Sequence, residues 1–115
     1  MTAFKPGGVE IPENRLVLTG QLHKVAQLRT TPAGIPIARF VLAHRSRRNE
    51  AGQMREVECR LTVVASGETL TAGLDRLPAG AWLTVTGFLS RAGYRAPDSR
   101  VELHALDIQT VPANG

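Results

Sequence analysis

The sequence has 115 residues, a length that suits one domain and leaves no room for two. Hydrophobic residues make up 43% and charged residues 21%, which supports a buried core and argues against wholesale disorder. The net charge is +4, and all basic residues except Lys5 and Lys24 are arginines, whose planar side chains grip phosphate and stack on bases. This bias indicates a nucleic-acid partner, although an ordinary arginine-rich surface would give the same composition.

Targeting and redox signals are few. Cys59 is the one cysteine, so no intrachain disulfide can form and a reducing compartment is expected. Residues 1–13 lack an apolar signal region, and no apolar run approaches the roughly 20 residues that a membrane span needs. We expect a cytoplasmic protein without membrane contact, with a flexible leader at residues 1–13, a domain at 14–111 and a tail at 112–115.

The first predicted strand is Arg15–His23, which is rich in branched apolar residues and has a bulge or sharp bend at Gly20. The stretch Lys24–Pro36 contains a Pro-x-Gly turn signal, so it is predicted to be a long hairpin loop. The next stretch, Ile37–Arg45, alternates apolar and polar residues and is predicted to be a strand with Phe40 facing the core.

A second hairpin is expected after this strand. The polar stretch Ser46–Met54 is predicted to be its loop, and the alternating stretch Arg55–Ala65 is the third strand. The alternation places Cys59 in the core, where a thiol behaves as a small hydrophobe. His44 lies on the core-facing side of the second strand, where a histidine usually has hydrogen-bond partners.

The helical period appears once. Leucines spaced at i, i+4 and i+7 within Ser66–Leu77 predict one short helix, with Ser66 as the N-cap and Gly73 as a weak point. Two more strands follow, Ala81–Arg91 and Val101–Val111, separated by a loop at Ala92–Arg100.

Within the fourth strand, Gly87 predicts a tight bend of the kind found at barrel corners. Phe88 is predicted to belong to the core, and Trp82 is predicted to pack rather than stack.

The predicted order is β-β-β-α-β-β, with the helix between the third and fourth strands. This is the order of the OB-fold, an all-β, five-stranded and partly open Greek-key barrel. Such barrels bind oligonucleotides across their second and third strands and the loops after strands one and four.

Specific motifs resemble the primosomal replication protein N (PriB) family. The resemblance covers most of the chain, from Asn14 to about Ile108, and single-stranded DNA-binding (SSB) proteins are similar more loosely. The motifs are Asn14–Gly20 (NRLVLTG), Pro32–Pro36 (PAGIP), Phe40–Ser46 (FVLAHRS), Glu50–Gly52, Cys59, Gly87–Phe88 and Leu103–Ala105.

The resemblance implies a homodimeric OB-fold that binds single-stranded DNA and acts in replication restart beside a PriA-type helicase and DnaT. It places basic DNA-binding positions of the family at Arg29, Arg55, Arg95 and Arg100. Their predicted places on or beside the binding surface add Arg39, Arg45, Lys24 and Tyr94, the last as a base-stacking candidate.

Three positions depart from the family pattern. Glu58 stands where the family has an exposed tryptophan on the third strand, Gln53 where it has a phenylalanine, and Gly93 where it has a further basic residue. Stacking contributes about 1–3 kcal/mol per base, so the loss of such a platform predicts weaker DNA binding.

Other functions find little support. The histidines and Cys59 are scattered over different strands without metal-ligand spacing, so no metal site is expected. No phosphate-cradling or nucleophile motif is present, and we expect neither catalysis nor a cofactor. Two alternatives stay open: an adaptor that contacts the helicase with residual DNA binding, favoured by Glu58 and Gln53, and an OB-fold that recognises RNA or duplex DNA.

Overall fold

The computed structural model describes residues 11–112, so most of the predicted leader and tail lies outside the described residues, and the division at 1–13 and 112–115 stays a prediction. A helical turn, α1 (Glu68–Thr71), and a 3-10 turn (Leu74–Arg76) lie between β4 and β5. The strands are β1 (Leu16–Leu22), β2 (Gln27–Thr30), β3 (Pro36–Glu50), β4 (Gln53–Ser66), β5 (Trp82–Arg91) and β6 (Val101–Thr110).

Five strands close into a barrel in the order β1-β5-β6-β4-β3, with β1 returning to pair with β3. β6 runs parallel to β4 and the other pairs are antiparallel, which makes the barrel mixed. The predicted OB-fold is therefore confirmed. The seam between β1 and β3 has only two residue pairs, Gln21 with Ala43 and Leu22 with Leu42, so the barrel closes narrowly.

The extra strand β2 lies inside the stretch that was predicted to be an uninterrupted loop, Lys24–Pro36. It pairs with Pro36–Arg39, at the edge of β3 beyond the seam. All four β2 residues are exposed, so no apolar alternation marked this strand in the sequence. The predicted third and fourth strands are accordingly β4 and β5.

The core is built by alternation along the barrel strands. Phe40 is buried as predicted, on the same face of β3 as Ala38 and Leu42. Each fully buried aliphatic side chain stabilises the fold by about 1.5–3 kcal/mol. The largest of them come from all five barrel strands: Leu22, Leu42, Val63, Leu83, Val85 and Leu103.

Two glycines let neighbouring strands approach closely. A Cβ on Gly20 would lie 2.4 Å from the carbonyl oxygen of Ala43, at the seam. A Cβ on Gly87 would lie 1.9 Å from the carbonyl oxygen of His104, next to a register shift between Thr86 and Gly87. The irregularity predicted at Gly87 is therefore present, whereas the register of β1 with β5 runs unbroken through Gly20, where the glycine permits close backbone contact.

The prediction of a loop at Ser46–Met54 is wrong. β3 and β4 pair without interruption as far as Glu50 and Gln53, and the turn is Ala51–Gly52 with φ of 54° and 81°. We call residues 44–50 and 53–59, which continue past the seam, the β3–β4 ribbon. Its residues are mostly exposed, so they lack the one-sided alternation that identifies a strand.

The same ribbon explains one error about burial. Cys59 is exposed, although the alternation of β4 predicts a core position. It pairs with His44, one residue beyond the seam, where the barrel no longer covers that face of the strands.

A second error concerns Phe88, which is 37% exposed rather than part of the core. On β5 the buried residues are Leu83, Val85 and Gly87, so the alternation turns Phe88 outward.

The helical segment is shorter than predicted. α1 ends at Thr71, and Gly73 adopts a left-handed conformation with φ of 78° before the 3-10 turn begins. Gly67, not Ser66, occupies the N-cap position and supplies no side-chain cap. Leu74 is nevertheless buried and belongs to the barrel core. The leucine spacing therefore predicted the burial of Leu74 correctly, although it predicted too long a helix.

Candidate nucleic-acid interface

The surface of β2, β3 and β4 that faces away from the core carries a line of arginines. Side chains paired across neighbouring strands share a face. Arg29 of β2 pairs with Ile37 of β3, which is two residues from Arg39 and so lies on the same face. Arg60 of β4 pairs with Ala43, which also lies on this face of β3. We call this exposed set the arginine face: Arg29, Arg39, Arg45, Arg47 and Arg60.

Two members of the arginine face have carboxylate partners. The guanidinium of Arg39 pairs with Glu102 of β6, whose residue is only 7% exposed. Arg45 and Glu58 lie 3.1 Å apart, and both side chains are mostly exposed to solvent. An exposed pair contributes about 0–1 kcal/mol, so Arg45 can exchange its partner for a phosphate, whereas Arg39 is held by a buried carboxylate.

The remaining members of the arginine face have no carboxylate partner in the part of the chain that the structure describes. Within residues 11–112, no carboxylate forms an ion pair with Arg29, Arg47 or Arg60. Their guanidinium groups can therefore bind phosphates without first breaking an ion pair in this part of the protein.

A shallow groove of about 260 Å³ lies where the loop before β2 meets β3 and β4. Lys24 lines this groove together with Arg39, Val41 and Thr62. The predicted residue Lys24 thus lies next to the arginine face and extends its positive charge toward the first loop.

Arg91 makes two contacts within the loop 92–100 between β5 and β6. Its guanidinium donates to Asp98 at 3.0 Å and to the carbonyl oxygen of Tyr94 at 2.8 Å. The N–H of Ala92 donates to the carbonyl oxygen of Arg100, which closes the base of the loop. The sequence did not single out Arg91, because its role depends on a contact within the folded loop.

This loop presents the predicted aromatic and basic side chains together. Tyr94 is 80% exposed, and the guanidinium of Arg95 lies over its ring, 5.7 Å from the centroid. Arg100 is also exposed, at the end of the same loop. Such a combination of ring and cation suits a base and its phosphate.

Among the predicted site residues on β2, β3 and β4, Arg55 is the one that does not lie on the arginine face. It pairs with Arg48 across the β3–β4 ribbon and lies on the opposite side from Arg45. Its guanidinium forms an ion pair with Glu50 near the turn. The prediction of Arg55 as a binding residue came from the family resemblance, whereas the alternation within Arg55–Ala65 places Arg55 on the side of Cys59, opposite Glu58.

β4 presents no aromatic side chain on the arginine face. Its outward positions from the turn to the barrel are Met54, Glu56, Glu58, Arg60 and Thr62. Glu58 thus lies at the outward position where the family resemblance puts a tryptophan. Its carboxylate forms an ion pair with Arg45 and provides no ring on which a base could stack.

His44 has partners for both ring nitrogens, as predicted. Nδ1 lies 2.7 Å from the carbonyl oxygen of Thr19 and Nε2 lies 2.9 Å from the Ser46 hydroxyl oxygen. The imidazole therefore ties the start of the β3–β4 ribbon to β1. Across residues 11–112, no three His, Cys, Asp or Glu side chains are grouped to hold a metal ion.

A closed OB barrel with arginines across β2–β4 and a Tyr–Arg loop between β5 and β6 belongs to the class of single-strand nucleic-acid binders. Residues 14–107 match a family described as another single-strand binding protein family. The replication restart protein PriB of Photorhabdus laumondii is 43% identical over 98 residues, covering 85% of this chain and 93% of that protein. The chain therefore belongs to the PriB family of replication restart proteins.

Solved structures agree with this assignment. The PriB protein of Ralstonia solanacearum superposes with a TM-score of 0.72 at 29% identity, covering 86% of this chain and 98% of that one. The single-stranded DNA-binding protein of Thermus aquaticus gives 0.74 at 29% identity, covering 90% of this chain and 52% of that one. In the described part of the chain, no helix has the length and apolar character needed to cross a membrane.

The ion pair between Arg39 and Glu102 yields a stability prediction. Replacing Arg39 with Met keeps the aliphatic stem but leaves the buried carboxylate of Glu102 unpaired. We expect the free energy of unfolding to fall by about 1–2 kcal/mol, because Arg39 is 46% exposed and its charge is partly screened.

Urea denaturation of Arg39→Met beside Arg45→Met measures this effect. Arg45→Met removes the same charge from an exposed pair and should change stability by less than about 0.5 kcal/mol. Equal midpoints for the two variants would show that Glu102 does not need Arg39.

Proposed function

We propose that this chain binds single-stranded DNA without sequence preference, as a non-enzymatic accessory of replication restart. The observation that carries the proposal is the arginine face with Lys24 beside it. A second group of exposed basic and aromatic side chains, Tyr94, Arg95 and Arg100, lies in the loop between β5 and β6. Guanidinium groups bind phosphates irrespective of the base, so this surface supplies affinity rather than sequence readout.

The affinity in this proposal comes chiefly from phosphate contacts. Because β4 carries Glu58 where a stacking residue would lie, Tyr94 is the aromatic of the predicted site that can stack on a base. Phosphate-led binding releases counterions, so it weakens steeply as the salt concentration rises.

The partners we propose are a PriA-type helicase and DnaT, on the strength of membership in a replication restart family. The ion pair of Arg45 with Glu58 favours a second candidate function, an adaptor whose main contact is the helicase and whose DNA binding is residual. An RNA-binding role is a further outcome of the binding experiment below. We propose a cytoplasmic location and no cofactor.

We also propose a homodimer formed through the outer edge of β1. β1 pairs with β5 along Leu16–Gln21, but with β3 only at Gln21 and Leu22. The other edge of residues 16–20 thus has no strand partner within residues 11–112, and Val17 on it is 49% exposed. An unpaired strand edge is a template for pairing with another chain, and a second copy would cover it.

The DNA-binding proposal predicts a salt-dependent anisotropy change with a fluorescein-labelled dT oligonucleotide. Arg95→Ala should weaken binding and reduce the slope of log K against log salt by about one, because one phosphate contact is lost. Titrations at about 50 and 200 mM salt measure both effects.

The matched control is Arg76→Ala, which removes the same charge from the 3-10 turn, away from the arginine face. It should bind like the native protein. Absence of dT binding by the native protein at low salt would overturn the DNA proposal in favour of the adaptor. Tighter binding of a structured RNA than of dT would favour the RNA-binding role.

Sedimentation equilibrium tests the dimer. We expect a mass near twice the 12.4 kDa of one chain at micromolar concentration. A mass of one chain under these conditions would contradict pairing through β1.

A further inference from the structure

We propose that Phe88, stacked on His104 and flanked by Arg15, is a nucleobase-stacking site. It supplies part of the base stacking that β4 lacks because Glu58 stands at the outward position there. This inference deepens the proposed single-stranded DNA binding and rests on it. Phe88 and His104 are cross-strand partners on β5 and β6, on the outward face of the barrel.

The two rings form a fixed flat platform. Their centroids lie 5.3 Å apart and their planes differ by 6°. The near-parallel planes and the centroid separation describe an offset stack, in which the imidazole lies against part of the phenyl ring, and Phe88 keeps 37% of its surface exposed. A ring that already stacks on a neighbouring side chain loses little conformational entropy when a base stacks on it.

The platform lies in line with the arginine face. Strand pairing sets Phe88 beside His104, His104 beside Val64, and Val64 beside Arg39, all on the outward surface. With strands about 4.8 Å apart, Phe88 lies about 15 Å from the Arg39 strand when measured around the outside of the closed barrel. A nucleic-acid strand that leaves the arginine face and follows the curved outer surface of the barrel, perpendicular to the β-strands, therefore reaches the platform.

A cation bounds the far side of the platform. The side-chain amide of Asn14 donates to the carbonyl oxygen of Leu89 at 2.8 Å and accepts from its N–H at 2.9 Å. Leu16 pairs with Gly87, so the intervening residue, Arg15, lies opposite Phe88 and is exposed. Arg15 and the arginine face thus place positive charge on both sides of the exposed ring, the arrangement that holds a phosphate backbone over a stacking surface.

The ligand is a single-stranded segment with an unpaired base, because only an unpaired base exposes its face to a ring. Two labelled probes of equal length separate stacking from charge: a dT oligonucleotide and an abasic deoxyribose-phosphate oligonucleotide. Phe88→Leu should weaken dT binding about fivefold or more, leave the abasic probe unaffected and keep the salt slope unchanged. Arg15→Ala should instead weaken both probes and reduce the slope by about one.

Two further variants control for folding and for general loss of apolar surface. Phe88→Tyr retains the ring and should bind dT like the native protein, and Leu106→Ala removes a different exposed apolar side chain of β6 and should also have no effect. If native protein binds dT and Phe88→Leu equals Leu106→Ala, the stacking site is overturned while the arginine face stands. If native protein fails to bind dT at low salt, the proposed function fails and this inference fails with it.

Discussion

The narrow seam between β1 and β3 is the constraint on which the rest of the structure depends. Gly20 allows the backbones to meet there, since any side chain at that position would collide with the carbonyl oxygen of Ala43. Because only two residue pairs form the seam, β3 is free on that side beyond it. β2 pairs with this free edge of β3 at Pro36–Arg39. The β3–β4 ribbon extends from the other end of β3, where His44 bonds it to β1.

The charges of the outward surface are divided between stability and binding. Arg39 neutralises a nearly buried carboxylate, so its guanidinium is largely committed to holding β3 to β6. Arg45 has an exposed partner that it can leave at little cost, and the other arginines of that face have no carboxylate partner within residues 11–112. We therefore expect DNA affinity to follow from the uncommitted cations, and Glu58 to reduce that affinity by competing for Arg45.

Sequence patterns predicted the barrel strands because each buries one face, as Phe40 and Val63 do, and alternation records that burial. The patterns failed where no core lies behind the strand. The ribbon residues Ser46–Met54 were therefore predicted to be a loop and β2 was missed. Cys59 was assigned to the core, although it pairs with His44 just beyond the seam. Sequence patterns also could not predict contacts between residues far apart in the chain, such as the ion pair of Arg39 with the carboxylate of Glu102. The binding roles of the candidate residues stay predictions.

The measurement that tests the central claim most directly is a map of amide chemical-shift changes when unlabelled dT oligonucleotide is added to the isotope-labelled protein. We expect the largest changes on β2, on the outward residues of β3 and β4, and in the loop that carries Tyr94 and Arg95. Changes confined to the helical segment between β4 and β5, with β3 and β4 unaffected, would contradict it.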